Sequence, residues 1–128
     1  MKPESADFFA KAKKLLIEAD LMIEVGLFEA AGRNAYIAGC HAARGLLFEH
    51  SNEVTNRHQR LWGDFTKALH SLGIKDSALT GFLPNTYSLK RIADYETGGS
   101  EITKERVEMV VAHTAGFVDR LCGLARTL

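Results

Sequence analysis

The sequence predicts an all-α protein, an up-and-down bundle of four to five helices in one domain that spans residues 1–128. Apolar residues recur at spacings of three and four along several long segments, which is typical of amphipathic helices. No segment alternates apolar and polar residues as a half-buried strand would. The hydrophobic fraction of 46% and the charged fraction of 25% are those of a globular domain that buries an apolar core.

The first two predicted helices carry the longest apolar patterns. The first covers roughly residues 5–25 and ends at Gly26, a residue typical of helix C-caps. The second covers about residues 27–52 and is rich in alanine and glycine, which let helix backbones approach closely. Because its apolar positions cover much of its circumference, we expect it to be the central helix of the bundle.

Three further helical segments follow along the chain. A third helix, marked by Leu61 and Phe65, is expected to end at Gly73. A fourth stretch covers about residues 76–96 and begins with an Asp-Ser cap. Pro84 should break it into two pieces, because proline lacks an amide hydrogen. After a predicted loop at residues 97–100, Thr103 is expected to cap a last helix.

Composition limits the function classes. Lys and Arg together number 16, as do Asp and Glu, so contact with a polyanion must come from a local cluster. The segment from Arg33 to Lys75 has six Lys and Arg residues against three acidic ones and holds four of the five histidines, so it is the predicted polar surface. No signal peptide or membrane span is visible, which predicts a cytoplasmic protein. Cys40 and Cys122 lie in apolar helical patterns and are expected to be buried, reduced thiols.

A narrow polar stripe marks the otherwise apolar second helix. At about 100° per residue, its members fall within about a quarter of the circumference. They are Arg33, Asn34, His41 and Arg44. A solvated face accounts for such a stripe, and so does a partly buried functional site.

A second polar face lies near the end of the fourth stretch. Arg91, Asp94 and Tyr95 are spaced at i, i+3 and i+4, with Tyr87 and Ser88 one turn earlier. An Arg–Asp pair that stabilises the helix end is one interpretation. The other is a site in which a fixed arginine holds a phosphate while an aromatic ring stacks on a base.

Three short motifs resemble those of the HEPN family, named for higher eukaryotes and prokaryotes nucleotide-binding domains. Residues 33–47 resemble the hallmark helix of the family, and Asn56-Arg57-His58 resembles its short loop with a histidine. Residues 91–95 resemble its Arg-x-x-Ala-Asp-Tyr motif. The order and spacing of the three motifs fit along nearly the whole chain.

The resemblance implies a helical bundle that commonly dimerises and is often encoded beside a minimal nucleotidyltransferase, as a toxin–antitoxin pair. Many members are metal-independent ribonucleases, in which an arginine is followed after four to six residues by a histidine at the dimer interface. This sequence departs from that signature, because Glu96, Thr97 and Gly98 occupy the positions where a histidine would follow Arg91. Together with the small residues of helix two, the resemblance predicts a homodimer.

One Arg-x5-His spacing does occur, from Arg44 to His50. Six helical residues rotate by about 600°, so the two side chains stand about 120° apart unless the helix ends early. The predicted composite site instead joins helix two to the fourth stretch. Its candidate catalytic residues are His41, His58 and Arg91, and its candidate nucleotide- or RNA-binding residues are Arg33, Asn34, Arg44, Asp94 and Tyr95.

Three hypotheses remain open at this point. In the first, the protein cleaves or binds RNA, with His41 or His58 as the acid–base group and arginines that hold phosphate. In the second, it is a noncatalytic partner that docks a nucleotidyltransferase, which the zero net charge and the missing histidine favour. In the third, it is a purely structural dimerisation bundle. The spacings typical of metal sites are absent from the sequence, so neither a metal nor another cofactor is expected.

Overall fold

A computed structural model describes the backbone of residues 1–95 and 102–128 and the side chains of residues 1–88 and 102–128. The described part is all-helical, which confirms the predicted fold class. Its helices are α1 (Pro3–Glu24), α2 (Phe28–Ser51), α3 (His58–Ser71), α4 (Ser77–Thr80), α5 (Phe82–Tyr95) and α6 (Lys104–Arg126). α4 is a single turn, so five longer helices form the bundle. None of these helices is long and apolar enough to cross a membrane.

α2 is the central helix, as its composition predicts. It packs against α1, α3, α5 and α6, and thirteen of its 24 residues are buried, so most of its circumference is covered by its own chain. At Gly45 an added Cβ would lie 2.8 Å from the Phe9 ring of α1, and at Gly39 it would lie 3.2 Å from Leu83 of α5. The small residues therefore serve packing within one chain. The expectation that this helix also joins two copies stays a prediction.

Two helix ends use the predicted glycine caps. Gly26 and Gly73 have φ angles of 82° and 75°, a left-handed conformation that glycine adopts without strain. After each glycine the next amide reaches back to a carbonyl five residues earlier, from Leu27 to Met22 at 2.8 Å and from residue 74 to residue 69 at 2.9 Å. This is the Schellman arrangement, and it ends α1 and α3 within two residues of the predicted positions.

The fourth predicted stretch does consist of two pieces, but the break lies at Gly81 rather than at Pro84. Pro84 is the third residue of α5. In the first turn of a helix the amide hydrogens have no partner within the helix, so a proline costs little there. The first amide that needs a carbonyl is that of Asn85, which donates to Gly81 at 3.1 Å.

Polar side chains cap α4 and α6 as predicted. One carboxylate oxygen of Asp76 accepts the first amides of α4, and the other accepts from Arg120 of α6 at 2.6 Å. The hydroxyl of Thr103 accepts the amide of Arg106 at 3.2 Å. Both cysteines are buried and unbonded to each other, as expected. The loop predicted at residues 97–100 lies outside the described residues.

We predict that Gly45→Ala lowers the free energy of unfolding by about 1–3 kcal/mol, because the new methyl group would press on the buried Phe9 ring. Urea denaturation followed by circular dichroism measures this. Gly116→Ala is the matched control. Gly116 lies inside α6 with nothing within 4 Å of an added Cβ, so alanine should stabilise the protein by roughly 0.5–1 kcal/mol through helix propensity alone. Equal effects of the two substitutions would contradict a close α1–α2 approach.

Candidate functional site

Two members of the polar stripe on α2 contact α1. The Asn34 side-chain amide donates to the carbonyl of Leu15 at 3.3 Å. The His41 ring stacks on Phe8, with ring centroids 6.1 Å apart and planes 24° apart. Arg33 lies near the N-terminus of α2. It is half-buried and lines a separate depression beside Ile102. The stripe therefore lies partly in the contact between α1 and α2 and is not a fully solvated face.

Arg44 ties α2 to the connector that leads into α3. Its side chain is only 7% exposed. Its Nε donates to the carbonyl of Thr55 at 3.0 Å, and its Nη1 lies 3.4 Å from Nδ1 of His41. A guanidinium engaged in this way positions the connector, and little of it faces solvent.

His41 is held in its neutral form at pH 7. Burial, together with the charges of Arg44 and Lys11, lowers the pKa of His41 to about 4. A general acid or base works best with a pKa near the operating pH, because it must both hold and release a proton. His41 therefore does not suit proton transfer near neutrality.

A different cluster surrounds His58, the first residue of α3. Its Nδ1 lies 2.8 Å from the hydroxyl of Tyr36 on α2, and that hydroxyl also accepts from the indole of Trp62 at 3.2 Å. The Tyr87 ring of α5 lies between 5.2 and 5.4 Å from the rings of Tyr36, Trp62 and His58. Residues from three helices thus converge on one imidazole.

The hydrogen-bond network favours one tautomer of neutral His58. Burial, followed by the contact with Cys40, raises the pKa of the Tyr36 phenol, so the phenol keeps its proton. The Trp62 indole can only donate, which occupies one lone pair of the Tyr36 oxygen. The phenol proton then goes to Nδ1 of His58, since an imidazole nitrogen accepts better than the thiol sulfur of Cys40. In the arrangement in which the phenol donates to Nδ1, neutral His58 carries its own proton on Nε2.

A cleft of about 480 Å³ opens beside this cluster. Its lining combines two guanidinium groups, an imidazole, an amide and two aromatic rings. The lining residues are Arg57, His58, Gln59, Arg60, Trp62 and Tyr87. Arg60 also pairs loosely with Asp64 at 3.7 Å, with both side chains well exposed. Guanidinium groups beside aromatic rings can bind a phosphate and stack on a base at the same time.

The two candidate histidines lie on different sides of α2. His58 contacts Tyr36 on α2. Tyr36 precedes His41 by five residues, and five helical residues rotate by about 500°, so the side chains of Tyr36 and His41 stand about 140° apart. α2 continues through Ser51, so Arg44 and His50 also stay on different sides, as the helical rotation predicts. The side chains of Arg91, Asp94 and Tyr95 lie outside the described residues. Their part in the composite site stays a prediction.

A family model for the HEPN domain matches residues 5–124, nearly the whole chain. The chain belongs to the HEPN domain family. Membership in this family indicates a function related to nucleotides or RNA. No curated protein matches the chain.

The sequence of this HEPN domain indicates His58 and Tyr87 but not their common partners, Tyr36 and Trp62. Tyr36 and Trp62 lie 26 residues apart, on two helices, and no sequence spacing relates them. A local signal was present in the run Arg57-His58-Gln59-Arg60 directly before Leu61 and Trp62. Two arginines and a histidine beside an aromatic residue indicate a polar surface that can bind nucleotides.

We predict that His41 makes the folded protein less stable as the pH falls from about 6.5 to about 4. In this window an unfolded chain with an ordinary histidine pKa binds a proton, whereas the folded chain does not. Proton uptake therefore favours unfolding, and the stability present above pH 6.5 is lost towards pH 4. His41→Gln removes the titrating group. Its loss of unfolding free energy between pH 7 and about pH 4.5 should be smaller than that of the wild type by roughly 1–2 kcal/mol, after discounting for solvent screening.

Urea denaturation across this pH range measures the difference. His70→Gln is the control, because His70 is an exposed histidine on α3. It should leave the pH dependence as in the wild type. Parallel curves for the wild type and His41→Gln would show that the folded environment does not disfavour the charged imidazole.

Proposed function

We propose that this HEPN chain binds a nucleotide or an RNA segment in the His58 cleft, as the noncatalytic partner of a minimal nucleotidyltransferase in a toxin–antitoxin pair. One observation carries the binding proposal. A histidine held by a contact with the Tyr36 hydroxyl lies in the same cleft as two arginines and two aromatic rings. Positive charge and hydrogen-bond donors suit phosphate oxygens, and the rings suit a nucleobase.

The cleft residues have distinct roles in this proposal. Arg57 and Arg60 bind phosphate oxygens, and the imidazole of His58 lies in the same cleft as a further polar group. A base stacks on Trp62 or Tyr87, as bases do on aromatic side chains in single-stranded RNA complexes. Arg91 follows Tyr87 by four residues along α5, and we propose it as a further phosphate ligand on the strength of the family-like motif.

The partners in the proposal are a nucleotidyltransferase and a second copy of the chain. Both are supported by the family resemblance of the three motifs. The zero net charge adds support for a docking protein, since a chain without a global positive field gains affinity for long RNA only from its local cluster.

Metal-independent RNA cleavage is the second candidate function. It is favoured by the same cleft, because an oriented imidazole beside arginines is sufficient for acid–base chemistry on a phosphodiester. Two arguments weigh against it. In the arrangement in which the Tyr36 phenol donates to Nδ1, neutral His58 carries its proton on Nε2 and is a donor there rather than a base. His41, whose pKa is about 4, stands on another side of α2.

We predict that Arg57→Ala and His58→Ala each weaken the binding of ATP or of a fluorescein-labelled single-stranded RNA by roughly tenfold, the effect of losing a charge-assisted or polar contact to phosphate. Fluorescence anisotropy at constant ionic strength measures the RNA, and calorimetry measures the nucleotide. Arg126→Ala and His70→Ala are matched controls at exposed positions outside the cleft. Unchanged affinity in both cleft variants would rule out this binding site.

We also predict that RNA incubated with the wild-type protein and excess chelator stays intact, because neither candidate histidine, His41 or His58, is well suited to act as a base. Gel analysis of a labelled RNA measures this. His58→Ala and His41→Ala are run beside the wild type. If the wild type and His41→Ala cleave the RNA and His58→Ala does not, the ribonuclease replaces the binding-only proposal.

A further inference from the structure

The ammonium group of Lys2 lies at the C-terminal end of α2. Its Nζ donates to the carbonyl oxygens of Phe48 and Glu49 at 3.3 and 3.1 Å. It also donates to Oδ1 of Asn52 at 2.8 Å. These three acceptors match the three N–H donors of an ammonium group. A helix ends in carbonyl groups that carry a partial negative charge, so a cation placed there is favourable.

Two further contacts fix Lys2 in this position. Its backbone amide donates to Oε2 of Glu49 at 2.8 Å, and its Nζ lies 5.7 Å from the centroid of the Phe48 ring. The residue is half-buried and directly precedes the first turn of α1. Both its backbone and its side chain therefore join the start of α1 to the end of α2, 46–50 residues later in the sequence.

Asn52 is the residue at which the chain leaves α2, and its backbone conformation is unusual. Its φ angle is 61°, the only positive φ of a non-glycine residue among those that the structure describes. Asparagine enters this left-handed region more readily than most residues, but the conformation still costs free energy. The hydrogen bond from Lys2 holds the Asn52 side chain and so stabilises the turn from α2 into the connector, residues 52–57.

The connector has few packing contacts that could fix it in place. Of residues 52–57, only Thr55 is half-buried, and the other five are exposed. A cavity of about 350 Å³ is lined by Val54 and by side chains of the first turns of α1. Because this space lies beside the connector, the position of the connector depends on hydrogen bonds rather than on close packing.

Three hydrogen-bonding side chains hold this part of the chain. Arg44 binds the carbonyl of Thr55, and Tyr36 contacts His58, the residue that follows the connector. Both of these side chains belong to α2. Lys2 holds the beginning of the connector and comes from the start of α1 instead.

We propose that Lys2 is a positioning residue for the His58 cleft and acts through the connector. It does not line the cleft, so it has no contact with a bound ligand there. Without the ammonium group the connector samples more conformations, and a ligand that binds Arg57 has to order it again, which lowers affinity. The effect on affinity rests on the proposed nucleotide binding, whereas the order of the connector can be measured without a ligand.

Lys2→Met and Lys2→Arg test the role of the ammonium group in the full chain. Methionine keeps a long unbranched side chain and removes all three donors. Arginine keeps a positive charge and donors at a similar reach, but with a different geometry. Lys13→Met is the matched control, because it removes the same charge from an exposed position on α1. Circular dichroism and urea denaturation verify that all three variants fold.

Amide hydrogen exchange without ligand reports on the connector. In Lys2→Met the hydrogen-bonded amides of Asn52 and Arg57 should exchange about tenfold faster, because the connector opens without breaking the contacts of an ammonium group. Lys2→Arg should exchange to within about threefold of the wild type. Lys13→Met should match the wild type. Amides of α6 should be unaffected in every variant, which separates local opening from global destabilisation.

Calorimetry with ATP at constant ionic strength reports on the cleft. Lys2→Met should raise the dissociation constant by about three- to tenfold, because the connector must be ordered on binding. Lys2→Arg should stay within about twofold of the wild type, and Lys13→Met should leave the affinity unchanged. A lysine with a merely structural role would change the free energy of unfolding but not the affinity for ATP.

Unchanged exchange of the connector in Lys2→Met would overturn the proposal. Faster exchange with an unchanged dissociation constant for ATP would overturn the link between Lys2 and the cleft. A wild type that binds no ATP would contradict the proposed function instead, and the exchange rates would still decide whether Lys2 holds the connector.

Discussion

The burial of α2 is the constraint on which the rest of this HEPN domain depends. A helix surrounded by four others must present small residues where side chains of its neighbours pack against its backbone, which it does at Gly39 and Gly45. It must also give each polar side chain a partner, because an unsatisfied buried polar group costs several kcal/mol. Tyr36 and Arg44 obey this rule through bonds to residues outside α2. The core therefore determines where the next segment of chain lies.

Those two bonds hold the cleft in place. Arg44 binds the carbonyl of Thr55 in the connector, and Tyr36 binds His58 at the start of α3. The segment between them, which carries Arg57, is therefore anchored at both ends to a rigid helix. A binding group that is already ordered loses little conformational entropy when a ligand arrives, so this anchoring favours affinity. The buried arginine contributes to such a site by positioning its neighbours rather than by touching phosphate itself.

Much of this fold could be predicted from local sequence, because the relevant physics is local. The glycine caps at Gly26 and Gly73 and the side-chain caps at Asp76 and Thr103 depend on residues within one turn. The break predicted at Pro84 lies at Gly81 instead. The free-energy cost of a proline depends on its place in the helix, and in the first turn of α5 that cost is small. The small residues of α2 show a different limit of local sequence. Alanine and glycine indicate close helix contact but cannot say whether the neighbour belongs to the same chain.

The candidate site was predictable only in part. His58 and Tyr87 could be singled out from motifs and helix faces, and their side chains do lie together. The composite site of His41, His58 and Arg91 stays a prediction, because it depends on which side of α2 each element covers. Tyr36 and Trp62 could not be inferred at all, since their contact arises from the packing of α3 on α2. Tertiary packing determines which polar groups share a cleft, and a single sequence contains that information only indirectly.

The chemistry of the cleft depends on which atom accepts the phenol proton of Tyr36. A histidine that acts as a base through Nε2 needs a partner that accepts a proton from Nδ1, as a carboxylate does in hydrolase triads. Tyr36 could accept that proton only by turning its own towards Cys40, a weak acceptor in a buried setting. Trp62 already occupies one lone pair of the same oxygen. When the phenol donates to Nδ1, His58 is a donor at Nε2, and a donor beside arginines suits the binding of a phosphate better than the activation of a 2′-hydroxyl.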